Sequence, residues 1–157
     1  MLTVRFATPA DAPRLAALRY DFRHAHAGAT EDRPGFEART AVWMRERLAA
    51  KEPWHCWVLE DGLTIVGNLW LELVEKLPNP GPEAERHAYI TNVYAEEAAR
   101  GGAGRMLLDA ALAWCRERGV DTVILWPSEK SRTLYQRAGF DVRNDLFALK
   151  LPFTGRR

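Results

Sequence analysis

Residues 93 to 108 read Val-Tyr-Ala-Glu-Glu-Ala-Ala-Arg-Gly-Gly-Ala-Gly-Arg-Met-Leu-Leu, which places a glycine-rich turn between an apolar run and a helical pattern. The run over 88–94 is typical of a β-strand. Gly119 stands where the helix after the turn should end. The apolar stripe of that helix comprises Leu107, Leu108, Ala111, Leu112 and Cys115. This order favours an anion site, because free N–H groups and the helix dipole point toward whatever binds at a helix N-terminus.

The turn itself has features of a phosphate site. Gly101, Gly102 and Gly104 permit positive φ and leave no Cβ in the way of a ligand, while Arg100 and Arg105 add positive charge. The pattern is not a Walker A loop, because no Gly-Lys-Ser/Thr follows, and it lacks the last glycine of the dinucleotide fingerprint. Taken alone, such a turn is more often a flexible connection with solvated arginines.

Length and charge bound the protein class. A chain of 157 residues is the size of one domain, which we assign to residues 1–157. Its 47 % hydrophobic and 27 % charged residues are ordinary for a globular protein. With 22 basic and 21 acidic residues the net charge is +1, which provides no global field for nucleic acid or an anionic membrane. We therefore expect neither as a partner.

Targeting and metal signals are weak. Arg5 and Asp11 interrupt the N-terminus, so we expect no signal peptide, and the apolar runs are too short to cross a bilayer. Cys56 and Cys115 lack a C-x-x-C spacing and are interpreted as buried small residues in a cytoplasmic protein. The histidines lack metal-ligand spacing, and we assign no metal. They are His24, His26, His55 and His87.

The remaining chain alternates between the helical and the strand period. We predict strands over 3–8, 56–60, 63–74, 88–94, 120–126 and 145–151, and helices over about 11–24, from about 34 through 48, over 104–118 and over 128–138. Within 63–74, three leucines alternate with Asn68, Trp70 and Glu72, which predicts one apolar face and one polar row. This order indicates an α+β or mixed α/β fold with helices on both faces of a sheet.

Two segments resemble a known family. Val93-Tyr94 and the glycine turn through Leu108 resemble motif A of the GCN5-related N-acetyltransferase (GNAT) family. Ser128 to Phe140 resembles its motif B, which ends in Leu-Tyr-x-x-x-Gly-Phe. The resemblance implies a central mixed, mostly antiparallel sheet with a splayed parallel pair, and acetyl-CoA as cosubstrate of an acyltransferase. One departure is that Ala99 stands where the family has Arg or Gln, with Arg100 one place late.

The resemblance also implies roles at the cofactor. The main chain of Val93 and Ala95 would bind the pantetheine arm, and the amide of Val93 or of a neighbouring residue would polarise the thioester carbonyl. The residues from Gly101 to Arg105 would hold the pyrophosphate. The full set of cofactor-binding candidates is Val93, Tyr94, Ala95, Arg100, Gly101, Gly102, Ala103, Gly104, Arg105, Ser128 and Ser131.

The same resemblance assigns the catalytic candidates. Tyr135 matches the family's general acid, although without the motif an aromatic packing residue would be the better interpretation. Glu72 is the first candidate for the base, with Asn92 or Tyr94 orienting a water, although a charge on a strand face is more often solvated. Trp70 and Glu72 would suit a cationic amine with an apolar body.

The implied function is transfer of the acetyl group from acetyl-CoA to a primary amine of a small molecule or peptide, by direct attack in a ternary complex. A non-catalytic acyl-CoA binding or sensing module is the alternative, and a nucleotide-phosphate binder is a third. The acceptor, the length of the acyl group, the base and a possible homodimer through edge strands stay open.

Overall fold

A computed structural model describes residues 1–28 and 30–152, and its centre is a five-stranded sheet. The strands are β1 (Leu2–Phe6), β2 (Trp54–Asp61), β3 (Thr64–Glu75), β4 (Arg86–Ala95) and β5 (Val123–Ile124). They lie in sequence order; β1 to β4 are antiparallel to their neighbours, and β4 and β5 are parallel. The predicted mixed, mostly antiparallel sheet and its hairpin are confirmed.

Helices cover both faces of this sheet, as predicted. The α-helices of the described part are α1 (Ala12–Ala27), α2 (Arg33–Ala50), α3 (Ala103–Glu117) and α4 (Arg132–Arg137). One core joins Leu69 and Leu71 of β3 to Leu107 of α3 and to Tyr135 of α4. A second core, on the other face, joins Trp70 of β3 to residues of α1 and α2. The alternation of β3 therefore supplies one residue set to each core.

A β-bulge in β4 changes which way its residues face. Leu71 of β3 lies opposite Ile90, but the preceding Trp70 lies opposite Asn92, so Thr91 is an extra residue in β4. Ile90 and Val93 consequently both point into the core of α3, although they are three residues apart. The bulge therefore shifts the alternation by one residue, so that from Asn92 onward the odd-numbered residues face the core of α3 instead of the even-numbered ones.

The parallel pair is short, and β4 extends well beyond it. Only Ala88 and Tyr89 of β4 pair with β5, through Val123 and Ile124. From the bulge to Ala95, β4 pairs with β3 on one edge only. This is the splayed arrangement that the family resemblance implies.

Two strand predictions are wrong. The predicted strand over 145–151 is irregular, and Phe147 and Leu149 are almost fully exposed. The predicted strand over 120–126 shrinks to β5, because Val120 N–H donates to Cys115 at the end of α3 and Pro127 cannot donate to a ladder. A two-residue β5 offers too few main-chain groups to pair with a further strand. The segment over 145–151 therefore lacks a neighbouring strand despite its local β-propensity.

Smaller differences concern α1 and the polar row of β3. Helix α1 continues to Ala27 instead of ending near His24, which shortens the connection between the first two predicted helices; residue 29 of that connection lies outside the described residues. The predicted polar row is not open, because α1 and α2 cover it and leave Asn68 1 % and Trp70 3 % exposed.

Among the helices of residues 1–28 and 30–152, none is both long and apolar enough to cross a bilayer.

Candidate active site

The free edge of β4 exposes main-chain hydrogen-bonding groups. Glu96 N–H donates to Val66 O of β3 at 2.8 Å, and successive residues of a strand direct their N–H and C=O groups to opposite edges. Val93 and Ala95 therefore direct theirs away from β3, toward the side that β5 leaves open. Without the bulge at Thr91, the edge would present the groups of Asn92 and Tyr94 instead.

The glycine turn ends in a helix N-terminus without a side-chain cap. Gly101 and Gly102 have φ of 110° and 102°, and a Cβ on either would meet no atom within 4 Å. The first α-helical hydrogen bond runs from Met106 N–H to Gly102 O at 2.9 Å, so the preceding amides of α3 have no helical acceptor. The turn therefore provides open space and several free N–H donors together.

The structure requires a glycine at position 104 for a different reason from the one that the sequence predicts. It lies in the first turn of α3 and has no positive φ, so the expectation that it supplies a left-handed turn is wrong. A Cβ there would lie 3.1 Å from Leu134 Cδ2 of α4. Gly104 thus lets α4 approach α3 closely and brings motif B against the glycine turn.

The two arginines of the turn have different surroundings. Arg105 is hydrogen-bonded within the protein. Its Nε donates to Asp109 at 2.7 Å, and its Nη1 donates to the carbonyl oxygen of Arg137 at 3.2 Å. Arg100 follows a short 3₁₀ turn that holds Ala99 nearly buried, and it is exposed. Of the two, Arg100 is the side chain with freedom to reach an anion at the turn.

Tyr135 is fixed by the way α4 ends. Gly139 takes φ of 97°, its N–H donates to Gln136 O, and Phe140 N–H donates to Tyr135 O, which is a Schellman arrangement. The Tyr135 side chain lies in the same core as Val93 and Ala95. Burial raises the pKa of the Tyr135 phenol above its ordinary value, so the hydroxyl keeps its proton at neutral pH.

Ser128 and Ser131 stand at the start of the last helical segment. Ser128 occupies the predicted cap position, but its hydroxyl makes no cap bond to the backbone and lies 2.9 Å from Ser131 Oγ. The Ser131 hydroxyl donates to Ser128 O at 3.0 Å. The two hydroxyls therefore form an exposed pair rather than a plain helix cap.

A buried polar chain lies on the opposite face of β4. Arg19 of α1 donates from Nη1 to Asn92 Oδ1 at 2.9 Å, and Asn92 Nδ2 donates to Asn68 Oδ1 at 2.6 Å. Asn92 is only 6 % exposed, and the side-chain NH2 group of its partner, Asn68 Nδ2, is buried with no hydrogen bond to the described residues. Asn92 directly precedes Val93, so this chain ends beside the free edge of β4.

Glu72 lies on that same face, one strand further away. Its cross-strand neighbours are Trp54 of β2 and Tyr89 of β4. Tyr89 packs edge-on against Trp126, with ring centroids 5.2 Å apart. The structure thus places Glu72 and Asn92 on one side of β4, and Tyr135 on the other.

Sequence reasoning missed Arg19 and the bulge. Arg19 had a readable signal, because it stands four residues after Leu15 and three before Phe22, within the apolar stripe of α1. A charge in such a stripe needs a partner on the buried side. The bulge at Thr91 has no comparable signal in the local sequence. No group of three or more His, Cys, Asp or Glu side chains that could hold a metal ion occurs in the part of the chain that the structure describes.

Comparison with known proteins gives a consistent result. The model of the acetyltransferase (GNAT) family matches residues 20–140. A mycothiol acetyltransferase of Geodermatophilus obscurus is 34 % identical over 108 residues, which cover 62 % of this chain and 34 % of that relative. The chain therefore spans about a third of the length of this curated relative.

Solved structures agree in fold over nearly the whole chain. A GCN5-related N-acetyltransferase of Ralstonia eutropha JMP134 superposes with a TM-score of 0.76 at 25 % identity, over 99 % of this chain and 100 % of that one. A predicted acetyltransferase of Clostridium acetobutylicum, solved with acetyl-CoA, gives 0.79 at 22 % identity over 96 % of each chain. At that identity the second likeness concerns the fold alone.

Proposed function

The chain belongs to the acetyltransferase (GNAT) family, and from this premise we propose that it transfers an acetyl group from acetyl-CoA to the primary amine of a small molecule or peptide. The observation that carries the proposal is the free edge of β4 beside an uncapped glycine turn. A protein of the same fold from Clostridium acetobutylicum was solved with acetyl-CoA, the donor proposed for this chain.

The residues present fit acetyl-CoA at two places. The main-chain groups of Val93 and Ala95 would pair with the amides of the pantetheine arm, in the manner of an added strand. The open turn at Gly101 and Gly102, with the first amides of α3 and Arg100, would hold the pyrophosphate. Ser128 and Ser131 are proposed as further cofactor contacts, through their exposed hydroxyls.

Acetyl-CoA supplies an activated acyl carbon and a thiolate leaving group. As the amine nitrogen bonds to that carbon, the Val93 amide would donate to the carbonyl oxygen and stabilise its developing negative charge. When the carbon–sulfur bond breaks, Tyr135 would donate its proton to the departing sulfur. Its raised pKa supports this role, because the phenol is fully protonated at neutral pH.

The attacking amine must first lose a proton. We propose that Glu72 accepts this proton. Glu72 lies on the face of β3 that is turned away from the core of Tyr135 and α3, which is the face that also carries Asn92. The second N–H of Asn92 would orient a water between the amine and Glu72. Replacing Glu72 with Gln tests its role and should lower kcat for an amine that is protonated at the pH of the assay more than for one that is already neutral.

The proposal is tested by following release of the coenzyme A thiol from acetyl-CoA with a panel of primary amines. Turnover with any amine supports it. Tight binding of acetyl-CoA by calorimetry, with no thiol release from the whole panel, contradicts it and favours the non-catalytic binding module. Displacement of acetyl-CoA by an equal concentration of ATP would instead favour a nucleotide-phosphate binder.

A further inference from the structure

Arg19 carries a positive charge that the described residues do not neutralise. Its side chain is half-buried between α1 and β4, and its one hydrogen bond within the described residues goes to the neutral amide oxygen of Asn92. Arg23 lies near enough for its positive charge to repel that of Arg19. Two other arginines near the start of a helix do have carboxylate partners: Arg14 pairs with Glu96, and Arg33 pairs with Asp21. A half-buried guanidinium without a carboxylate calls for an anion from outside the chain.

The amides beneath Arg19 hold it in place. Arg19 donates to Asn92 Oδ1, and Asn92 Nδ2 donates in turn to Asn68 Oδ1, so the Asn92 amide is oriented with its oxygen toward the cation. Two nearly fully buried asparagines are a costly support for an arginine that merely covers the surface. The guanidinium has five N–H groups, and among the described residues one of them has an acceptor. The other donors are therefore available to a ligand.

The position of Arg19 relates it to the proposed reaction. Arg19 is bonded to Asn92, and the next residue, Val93, has the amide that faces the thioester in the proposed function. Consecutive Cα atoms are about 3.8 Å apart, so Arg19 is anchored one residue away from that amide. The guanidinium carbon lies 5.7 Å from the centre of the Phe22 ring, and Phe22 in turn packs against Tyr94. Arg23, one turn further along α1, is exposed and adds a second positive charge. The face of β4 that carries Asn92 therefore has Arg19 and Arg23 beside the rings of Phe22 and Tyr94.

We propose that Arg19 binds a carboxylate of the acceptor, so that the acceptor is a compound carrying both a primary amine and a carboxylate, such as an amino acid. This inference rests on the proposed function and narrows its substrate class. A carboxylate on Arg19 would place the amine of a short molecule beside Val93, with Glu72 on the same face of the sheet. Two arginines at this place disfavour an acceptor with several positive charges, in contrast to the cationic amine expected from Trp70 and Glu72.

The first test compares matched acceptors on the wild-type chain. Each of a set of α-amino acids is assayed beside its carboxamide and its decarboxylated amine, with thiol release as the readout. We expect kcat/KM for the free amino acid to exceed that for both analogues by about 10- to 100-fold, the range for one charge-assisted hydrogen bond. Equal values for all three would overturn the inference while leaving the acetyltransferase function intact.

The second test replaces Arg19 with Gln, with Arg47→Gln as the matched control on α2. Arg19→Gln should raise KM for amino acids by about 10- to 100-fold, leave kcat/KM for carboxamides unchanged, and leave the Kd of acetyl-CoA within about twofold. Arg19→Lys, which keeps the charge, should recover part of the loss. An equal loss for all acceptors, or an equal loss in Arg47→Gln, would mean that Arg19 is only structural.

The third test separates the inference from the proposed function. Binding of amino acids and of their carboxamides to the coenzyme A-bound protein is measured by calorimetry, for the wild type and for Arg19→Gln. Carboxylate-dependent binding that Arg19→Gln abolishes supports the inference even if no turnover is found. Turnover without any such binding preference overturns it and leaves the proposed function standing. The thermal unfolding midpoint of each variant shows whether it is folded.

Discussion

The ring of Phe140 lies edge-on against the ring of Tyr135, with centroids 5.7 Å apart and an interplanar angle of 69°. The contact follows from the helix end, where the positive φ of Gly139 returns Phe140 over the last turn of α4. Two of the motif's defining residues, glycine and phenylalanine, therefore serve to orient a third. The phenol of Tyr135 is held in one place before any substrate arrives, as a proton donor requires.

Replacing Tyr135 with Phe should lower kcat by about 100- to 10,000-fold, the usual contribution of a general acid. The variant keeps the ring and its contact with Phe140 and removes only the hydroxyl, so the Kd of acetyl-CoA should stay nearly constant. Steady-state kinetics and calorimetry measure the two quantities. Tyr20→Phe, at a hydroxyl that bonds to the α1–α2 loop, is the control and should change neither. A kcat for Tyr135→Phe within twofold of wild type across the pH range would remove Tyr135 from this role.

The alkaline limb of the pH profile should also depend on Tyr135. An acid acts in its protonated form, and burial raises the pKa of this phenol above the ordinary value of 10.0. kcat should therefore hold through neutral pH and fall only when the pH passes that raised pKa. The residual activity of Tyr135→Phe should lack this fall. A loss of wild-type kcat between pH 8 and 9, with a saturating acceptor, would contradict the assignment.

Gly102→Ala should weaken acetyl-CoA binding. Its φ of 102° strains an alanine, and the new methyl group would enter the open space assigned to the pyrophosphate. We expect the Kd of acetyl-CoA to rise about tenfold, from loss of one or two charge-assisted hydrogen bonds. Gly62→Ala is the matched control, because it has φ of 62° and equally open surroundings in the β2–β3 turn. A similar rise in both variants would point to general destabilisation instead.

Gly67→Ala should destabilise the sheet where β3 pairs with the end of β4. A Cβ on Gly67 would lie 2.8 Å from Tyr94 O and 3.2 Å from Ala95 Cβ, and the backbone oxygen has little freedom to move. We expect a loss of about 1–3 kcal/mol in the free energy of unfolding, the range for overpacking. Chemical denaturation measures this. Gly81→Ala, in an exposed loop with nothing within 4 Å, should change the free energy by less than about 0.5 kcal/mol.

The fold should lose stability in mild acid through His55. Burial lowers the pKa of His55 below its ordinary 6.5 in the folded chain, so the neutral ring is favoured there. Stability from this group is present above pH 6.5 and is lost as the pH falls toward the folded pKa. His55→Phe keeps a ring against Trp114, whose centroid is 4.3 Å away, and should show a smaller drop in unfolding temperature between pH 7.5 and 5. An identical drop in both proteins would contradict the prediction.

Much of the fold was readable from local pattern. The hairpin, the helix end at Gly119 and the Tyr135 motif depend on turn residues and periodicity within about a dozen residues, which a sequence displays directly. The final strand failed for the opposite reason. Local β-propensity after residue 144 was real, but a strand exists only where another strand offers its main-chain groups, and β5 is too short to do so.

The sequence by itself determined the family, the order of elements as far as α4 and the glycine turn, because each depends on residues that are close along the chain. Only the tertiary structure decided which main-chain groups line the free edge, since the bulge at Thr91 arises from the pairing of β4 with β3. It also decided the surroundings of Arg19, which meets Asn92 across 73 positions of sequence. A charge in a helix stripe shows that a partner is needed, but which partner it finds depends on how distant segments pack.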